Sequence, residues 1–258
     1  MAISTTINRT TAKKIFLFTD TDIIVCKGTF ELPPLELFAS LTEDNQIKYC
    51  IQENSYIAAF LKDDFKVPEQ YELATHRAIF AAELEWSNLS ARARAILNWR
   101  KNKNFCSKCG EKLIDCTDES ACECPKCKAR FYPQNSPCII VQVYKGEKQL
   151  LANHTKHRAS LYTCIAGFLE PGETVEEAVI REVKEETSLT VNNVKYIESQ
   201  TWPFPHQLML GCTAEWVSGE IAINKEELAD AQWFSPDNLP EIPTPGTLAR
   251  RLILLREQ

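Results

Sequence analysis

Gly167-Phe-Leu-Glu-Pro-Gly-Glu-Thr-Val-Glu-Glu-Ala-Val-Ile-Arg-Glu-Val-Lys-Glu-Glu-Thr-Ser-Leu189 is the stretch that decides how this chain folds. Pro171-Gly172 makes a turn. Thr174 and Glu177 stand three residues apart, the spacing of a capping box, so a helix starts here. Val175, Val179 and Val183 recur every four residues and give that helix an apolar stripe to bury. Glu182, Glu185 and Glu186, at i, i+3 and i+4, share one face. Like charges on one face repel unless a cation neutralises them. Hard carboxylate oxygens suit Mg2+ or Mn2+, ions that keep waters and bridge to phosphate oxygens. The glutamates alone would also suit a solvated acidic face; the glycine-bearing loop ahead of them favours a site.

Around this stretch lies a chain of 258 residues, 44% hydrophobic and 25% charged, long enough for more than one core. A net charge of -6 argues against generic nucleic-acid binding, which wants a basic surface. No apolar run approaches the ~18 residues of a membrane span. The opening MAISTTINRTTAKKIFLFTD places basic and hydroxyl residues before its first acid, as transit peptides do. Its IFLF runs into TDTDIIV like a first strand, however, so no targeting segment is expected. Eleven cysteines without a signal peptide point to a reducing, cytoplasmic compartment and to metal binding rather than a disulfide framework.

Three regions separate: 1–101, 102–133 and 134–258. The first holds short β-rich runs, KKIFLF, DIIVC, IKYCI and SYIAAFL, then a helical stretch, SNLSARARAILNWRKN. Its Leu89, Ala93, Ile96 and Leu97 fall at helical spacing, and Ser87 is the expected N-cap. From Pro137 the pattern reads strand (CIIVQVY), turn (KGEK), strand (QLLAN), strand (LYTCIA), loop and helix. Mixed strands and helices suggest an α/β or α+β sandwich, of which α+β is the expected class. No tandem repeat or low-complexity segment is evident.

Residues 102–133 hold six of the eleven cysteines. Cys106-Ser-Lys-Cys109 and Cys124-Pro-Lys-Cys127 are two CxxC knuckles, which together offer the closed tetrahedral thiolate site that Zn2+ prefers. Four protein ligands leave no open position, so this zinc is structural. Cys116 and Cys122 lie nearby, and Cys122-Glu-Cys124 is a rival arrangement, but the symmetrical pair is simpler. Cys26, Cys50, Cys138, Cys164 and Cys212 sit in apolar runs as small core residues.

The segment 167–189 resembles the Nudix box. Gly167, Glu173, Arg181, Glu182, Val183, Glu185, Glu186 and Leu189 match it, and Ser188 replaces the glycine that ends the helix. If that position needs positive φ, serine there costs about 1 kcal/mol. Downstream, Ser199-Gln-Thr-Trp-Pro-Phe-Pro-His-Gln207 is similar to the SQPWPFPxS motif of the NADH pyrophosphatase branch, with Thr201 for proline and Gln207 for serine. Such a run also suits a rigid core loop. Tyr132-Pro133 and the stretch from Pro243 to Ile253 fit the same branch. The resemblance covers about residues 100–255. Before that it is loose, through Lys27-Gly28 and His76-Arg77.

The resemblance implies an α/β/α sandwich with a central zinc ribbon and a degenerate Nudix-like N-terminal domain, assembled as a homodimer. Glu182, Glu186 and Glu227, with Glu226 as its rival, would hold Mg2+ or Mn2+ together with the carbonyl of Ala166. Lys27, Arg77, Glu119, Tyr132, Gln200, Thr201, Trp202, Pro203, Phe204, Pro205, His206, Gln207 and Ala249 would contact substrate. Phe168 would stack on a base. The implied reaction is hydrolysis of the pyrophosphate of NAD(H), with Glu185 or Glu186 taking the proton of water. Removal of an NAD cap from RNA keeps the same site. The competing readings are another nucleoside diphosphate substrate and a regulator that has lost catalysis.

Overall fold

The computed structural model describes residues 13–255 except 54, 117, 156–159 and 205. The chain divides into two compact units. One comprises residues up to Ile79 and Leu84–Gln134; the other comprises Phe80–Glu83 and residues from Asn135.

In the first unit, β1 (Lys14–Phe18), β2 (Asp22–Cys26), β3 (Ile47–Glu53), β4 (Tyr56–Leu61) and β5 (Tyr71–Thr75) form a sheet of order β3-β4-β1-β2-β5. The helices are α1 (Leu35–Glu43), α2 (His76–Ala81), whose end belongs to the other unit, and α3 (Ser87–Asn102). Successive side chains of a strand face opposite ways. Phe16 and Phe18 therefore pack with Ala93, Ile96 and Leu97 of α3, while Ile15 and Leu17 pack with Phe38 and Leu41 of α1. Burial on both faces explains the unbroken apolar run KIFLF. Ser87 is not the N-cap. It is the first helical residue, Trp86 stands at the cap without a side-chain bond, and the Ser87 hydroxyl donates to the Ile79 carbonyl at 3.1 Å. Its buried hydroxyl has taken a tertiary partner instead of a local one.

The cysteine-rich segment adds a small sheet of β6 (Ile114–Asp115), β7 (Cys122–Glu123) and β8 (Arg130–Phe131) to this unit.

The second unit contains β9 (Ser136–Lys145), β10 (Lys148–His154), β11 (Ile165–Phe168), α4 (Val175–Thr187), β12 (Thr190–Trp202), β13 (Gln207–Ser218), β14 (Leu228–Phe234) and α5 (Leu248–Leu254). Its strand order is β12-β13-β9-β10-β14, with β11 on β9. Ile139, Val141 and Val143 of β9 face Ala178, Val179 and Val183 of α4, and Ile140 faces Leu248, Leu252 and Ile253 of α5. The result is an α/β/α sandwich. Only the end of LYTCIA is strand. Leu161 and Thr163 make isolated bridges to Glu241 and Ala152, whereas Ile165 onward pairs with β9, so the segment changes partners near Cys164.

The two sheets share one plan. β1 runs parallel to β4 and antiparallel to β2, β2 antiparallel to β5, and β3 antiparallel to β4. β9 stands in the same relations to β13 and β10, β10 to β14, and β12 to β13. The first unit thus repeats the topology of the second without its acidic helix, a structural repeat that no tandem sequence repeat announces.

Candidate active site and cysteine centre

Helix α4 starts as its sequence requires. Thr174 Oγ1 accepts from the Glu177 amide at 3.2 Å, and Glu177 Oε2 accepts from the Thr174 amide at 2.8 Å. It ends at Ser188, in the left-handed region at φ 63°. The Ser188 hydroxyl donates to the Ala222 carbonyl at 3.1 Å, which helps serine hold a glycine's conformation.

Arg181 organises the acidic face. Its Nε and Nη2 donate to the two oxygens of Glu173 at 2.7 and 2.9 Å, and Nη2 also donates to the Phe168 carbonyl at 2.9 Å. Nη1 donates to Glu182 Oε1 at 2.8 Å and Glu185 Oε2 at 3.1 Å. Arg181, with the Glu170 amide, holds the Glu173 carboxyl down at about 2. The Phe168 ring is 52% exposed, so it is not a core residue.

Glu182 and Glu186 are buried and Glu185 is exposed. A Cβ on Gly167 would lie 1.9 Å from Cδ of Glu182, so only glycine leaves room for that carboxylate. Burial pushes Glu182 up against the pull of Arg181. Glu186 is 2% exposed, and its Oε2 has no hydrogen-bond partner. Burial, with Glu227, Glu182 and Glu185 adding repulsion, pushes its carboxyl up to about 8. A desolvated carboxylate with an orphan oxygen among other acids suits a bound cation. Of the two late acids, Glu227 is the one whose charge acts on both Glu182 and Glu186. The Asn224 amide donates to the Glu186 carbonyl at 2.9 Å, tying the loop before Glu227 to the end of α4. Ala166 lies on β11, opposite Ile140 and one residue before Gly167.

The segment 200–207 departs from a simple row of substrate contacts. The Gln200 side chain is buried. Its Nε2 donates to the Gly246 carbonyl and its Oε1 accepts from the Leu248 amide, both at 2.8 Å, so it fixes the start of α5. Trp202 stacks on Phe80 and Pro203 is buried. Thr201, Phe204, His206 and Gln207 are half-buried, as is Ala249, a residue of α5 that packs against the core there. Pro205 lies outside the described residues. In the first unit Lys27 and Arg77 are exposed, and Tyr132 is 51% exposed. The Tyr132 hydroxyl donates to Glu119 Oε1 at 3.1 Å, and Arg130 Nη1 reaches the same oxygen at 2.6 Å.

Cys106, Cys109, Cys124 and Cys127 bring their sulfurs within 4.8 Å of one another, the single such group of metal-ligating atoms found among the described residues. The two knuckles have the same backbone bonding. The Cys106 amide donates to the Glu111 carbonyl and the Gly110 amide to the Cys106 carbonyl; the Cys124 amide donates to Ala129 and the Lys128 amide to Cys124. Gly110 and Lys128 occupy matching left-handed positions at φ 75° and 59°. Four thiolates so gathered can hold a metal ion. Cys122 is buried outside this set, with Sγ 3.8 Å from Asp115 Oδ1, and Cys116 is half-exposed. Cys50, Cys138, Cys164 and Cys212 are buried core residues as expected, whereas Cys26, at the end of β2, is only half-buried.

The NUDIX domain family model matches residues 134–254. The chain is 44% identical over 182 residues to NAD-capped RNA hydrolase NudC of Pectobacterium carotovorum, covering 70% of each chain. It is 40% identical over 188 residues to NAD-capped RNA hydrolase NudC of Escherichia coli, covering 73% of each. The chain belongs to the NudC branch of the Nudix hydrolases. Among solved structures, a NUDIX hydrolase from Nitrosomonas europaea is similar at 22% identity and a TM-score of 0.46, over 58% of this chain and 90% of that one.

In a Nudix hydrolase with this geometry, Gly167→Ala should be a site lesion rather than a folding lesion. The added methyl meets the far end of a side chain, not backbone, so Glu182 moves and the sheet does not. We expect kcat to fall about ten-fold or more, ~1.4 kcal/mol, with a melting temperature near that of the parent. Full activity in a folded Gly167→Ala protein would show that the placement of Glu182 does not matter.

Proposed function

We propose that this enzyme hydrolyses the pyrophosphate of NAD(H) to NMN(H) and AMP with the help of Mg2+ or Mn2+, and removes the same dinucleotide where it caps an RNA. The observation that carries the reading is the buried Glu186 carboxyl, whose orphan oxygen lies under the repulsion of Glu227, Glu182 and Glu185. The names of the NudC relatives supply the substrate class.

Glu182, Glu186 and Glu227 would hold the ion, with the Ala166 carbonyl as a further ligand. Such an ion, when bound, neutralises pyrophosphate charge and lowers the pKa of a bound water. The side chains do the rest. Glu185 is the exposed carboxylate of the box, oriented by Arg181, and takes the proton of the attacking water. One P–O bond forms to the water oxygen as the bridging P–O bond breaks, and the two nucleotides separate as AMP and NMNH. Arg181 anchors the Phe168 carbonyl, and the exposed Phe168 ring offers a flat face to a base. Thr201, Phe204, His206, Gln207 and Ala249 would add substrate contacts within the second unit, with Gln200, Trp202 and Pro203 acting chiefly as scaffold.

The cysteine tetrad holds structural Zn2+ in this reading, the chain divides at 101/102 and 133/134, and it works as a homodimer in the cytoplasm. Its eleven unpaired cysteines suit a reducing compartment. No described helix is long and apolar enough to cross a membrane.

The test is to compare kcat/KM for NADH, ADP-ribose, diadenosine polyphosphates and NAD-capped RNA under Mg2+ or Mn2+, and to run the NADH reaction in H2(18)O. We expect the NAD-containing substrates to lead and the label to enter a phosphate of AMP or NMNH. Label in a ribose hydroxyl, or a preference for ADP-ribose, would overturn the assignment.

A further inference from the structure

Phe80 is 3% exposed and belongs, with Ala81 to Glu83, to the second unit although it precedes the cysteine-rich segment in sequence. Its ring lies 5.8 Å from that of Trp202 at an interplanar angle of 18°, a stacked pair. Trp202 in turn meets Phe204 at 5.0 Å and 60°. The Phe80 main chain is held as firmly as the ring. A Cβ on Gly246 would come within 1.8 Å of the Phe80 carbonyl oxygen, a backbone-to-backbone approach with no flexible atom to give way. The carbonyl of that same Gly246 accepts from Gln200, whose other amide end holds Leu248.

We propose that Phe80 is a positioning residue for substrate binding: it fixes Trp202, and through Trp202 the ring of Phe204, in the geometry that meets the dinucleotide. The backbone of Phe80 sets Gly246, Gly246 sets Gln200, and the ring of Phe80 sets Trp202 two residues further on. Removing the ring takes away the stacked partner that sets the tilt of Trp202, and the Phe204 ring packed on Trp202 shifts with it. The half-buried side chains that remain to touch substrate, Phe204, His206 and Gln207, then lose their preset geometry. The reacting phosphorus is served by α4, so the defect falls on binding and not on the chemical step.

This proposal rests on the reading of residues 200–207 as part of the substrate site, and the experiment separates the two. Steady-state kinetics with NADH and Mg2+ are measured for Phe80→Leu, Phe80→Tyr, Trp202→Leu, the Phe80→Leu/Trp202→Leu double variant and Phe204→Ala, each with a thermal melt. We expect Phe80→Leu to raise KM about ten-fold with kcat within about two-fold, and the ring-preserving Phe80→Tyr to stay near the parent. The double variant should be no worse than the worse single, because both changes remove one stacked pair. If Phe204→Ala raises KM while a folded Phe80→Leu does not, the positioning role is wrong and the loop reading stands. If the two single effects multiply in the double variant, Phe80 does not act through Trp202, and the proposal fails. If Phe204→Ala leaves KM unchanged, the loop reading is what fails, and the proposal falls with it.

Discussion

Glu186→Gln should lower kcat by about three orders of magnitude, roughly 4 kcal/mol of transition-state stabilisation, while the protein stays folded. The two residues have nearly the same shape, so packing under α4 is kept. What disappears is a charge that the site needs for cation binding. The same side chain gives a second readout that does not depend on turnover. Its folded carboxyl is raised to about 8 from an ordinary 4.5, with burial as the main cause and the charges of Glu227, Glu182 and Glu185 behind it. A raised folded pKa means that the folded state binds the proton more tightly than the unfolded state. That contribution to stability is fully present below pH 4.5 and is lost as pH rises to about 8. Metal-free protein should therefore lose melting temperature across that window. Glu186→Gln should lack this component of the slope, and Mg2+ or Mn2+ should restore the parent at the alkaline end, since ligand binding to the folded state stabilises it. A Glu186→Gln protein with parental kcat would remove the acid cluster from the mechanism. Identical pH–stability curves for parent and variant would show that the burial of Glu186 carries no such energy.

Much of this site was legible because its determinants are local. The capping box of Thr174 and Glu177, the valine stripe and the three glutamates all lie within one helix, so spacing alone orders them. The two knuckles are equally local, each closing on itself with the same backbone bonds. The unread parts depend on partners distant in sequence. Ser87 looked like a cap until the Ile79 carbonyl took its hydroxyl. The Gln200 side chain bonds to Gly246 and Leu248, partners more than forty residues away that its motif does not announce. Phe80 carried no signal, since a phenylalanine on a short helix usually packs in its own region's core. Sequence cannot separate Glu226 from Glu227, because adjacent residues in a loop have no periodicity, whereas in the fold it is the charge of Glu227 that acts on Glu182 and Glu186. The repeated sheet plan was hidden for another reason. β1 and β9 share an unbroken apolar run buried on both faces, yet such a run fits many apolar residues, so topology repeats where residue identity does not.

Cys124→Ser should release the metal of the cysteine centre and destabilise the segment around it. Parent protein purified without chelator should carry one zinc per chain by elemental analysis, whatever Mg2+ is added. The structure gives two reasons for a large effect. Cys124 is fully buried, with its sulfur 3.5 Å from that of Cys109, so the site has no spare ligand to take its place. The apolar core there is also small: Leu113 and three buried cysteines, with Trp99 and Phe131 partly covering them. A core of that size does not supply the entropy cost of ordering the segment, on the order of 1–2 kcal/mol per residue for backbone alone. A bound metal would add to that small core, since in zinc peptides metal binding contributes roughly 10–16 kcal/mol and is itself the folding free energy. Serine keeps the volume but presents a hard, neutral oxygen where a thiolate is required. The expected result is loss of zinc, a lower melting temperature and protease cleavage within residues 102–133. Cys116→Ser is the contrast, because Cys116 is half-exposed and outside the tetrad, and it should keep both zinc and stability. Absence of zinc from the parent, or a Cys124→Ser protein that retains it and melts like the parent, would sink the structural-zinc assignment.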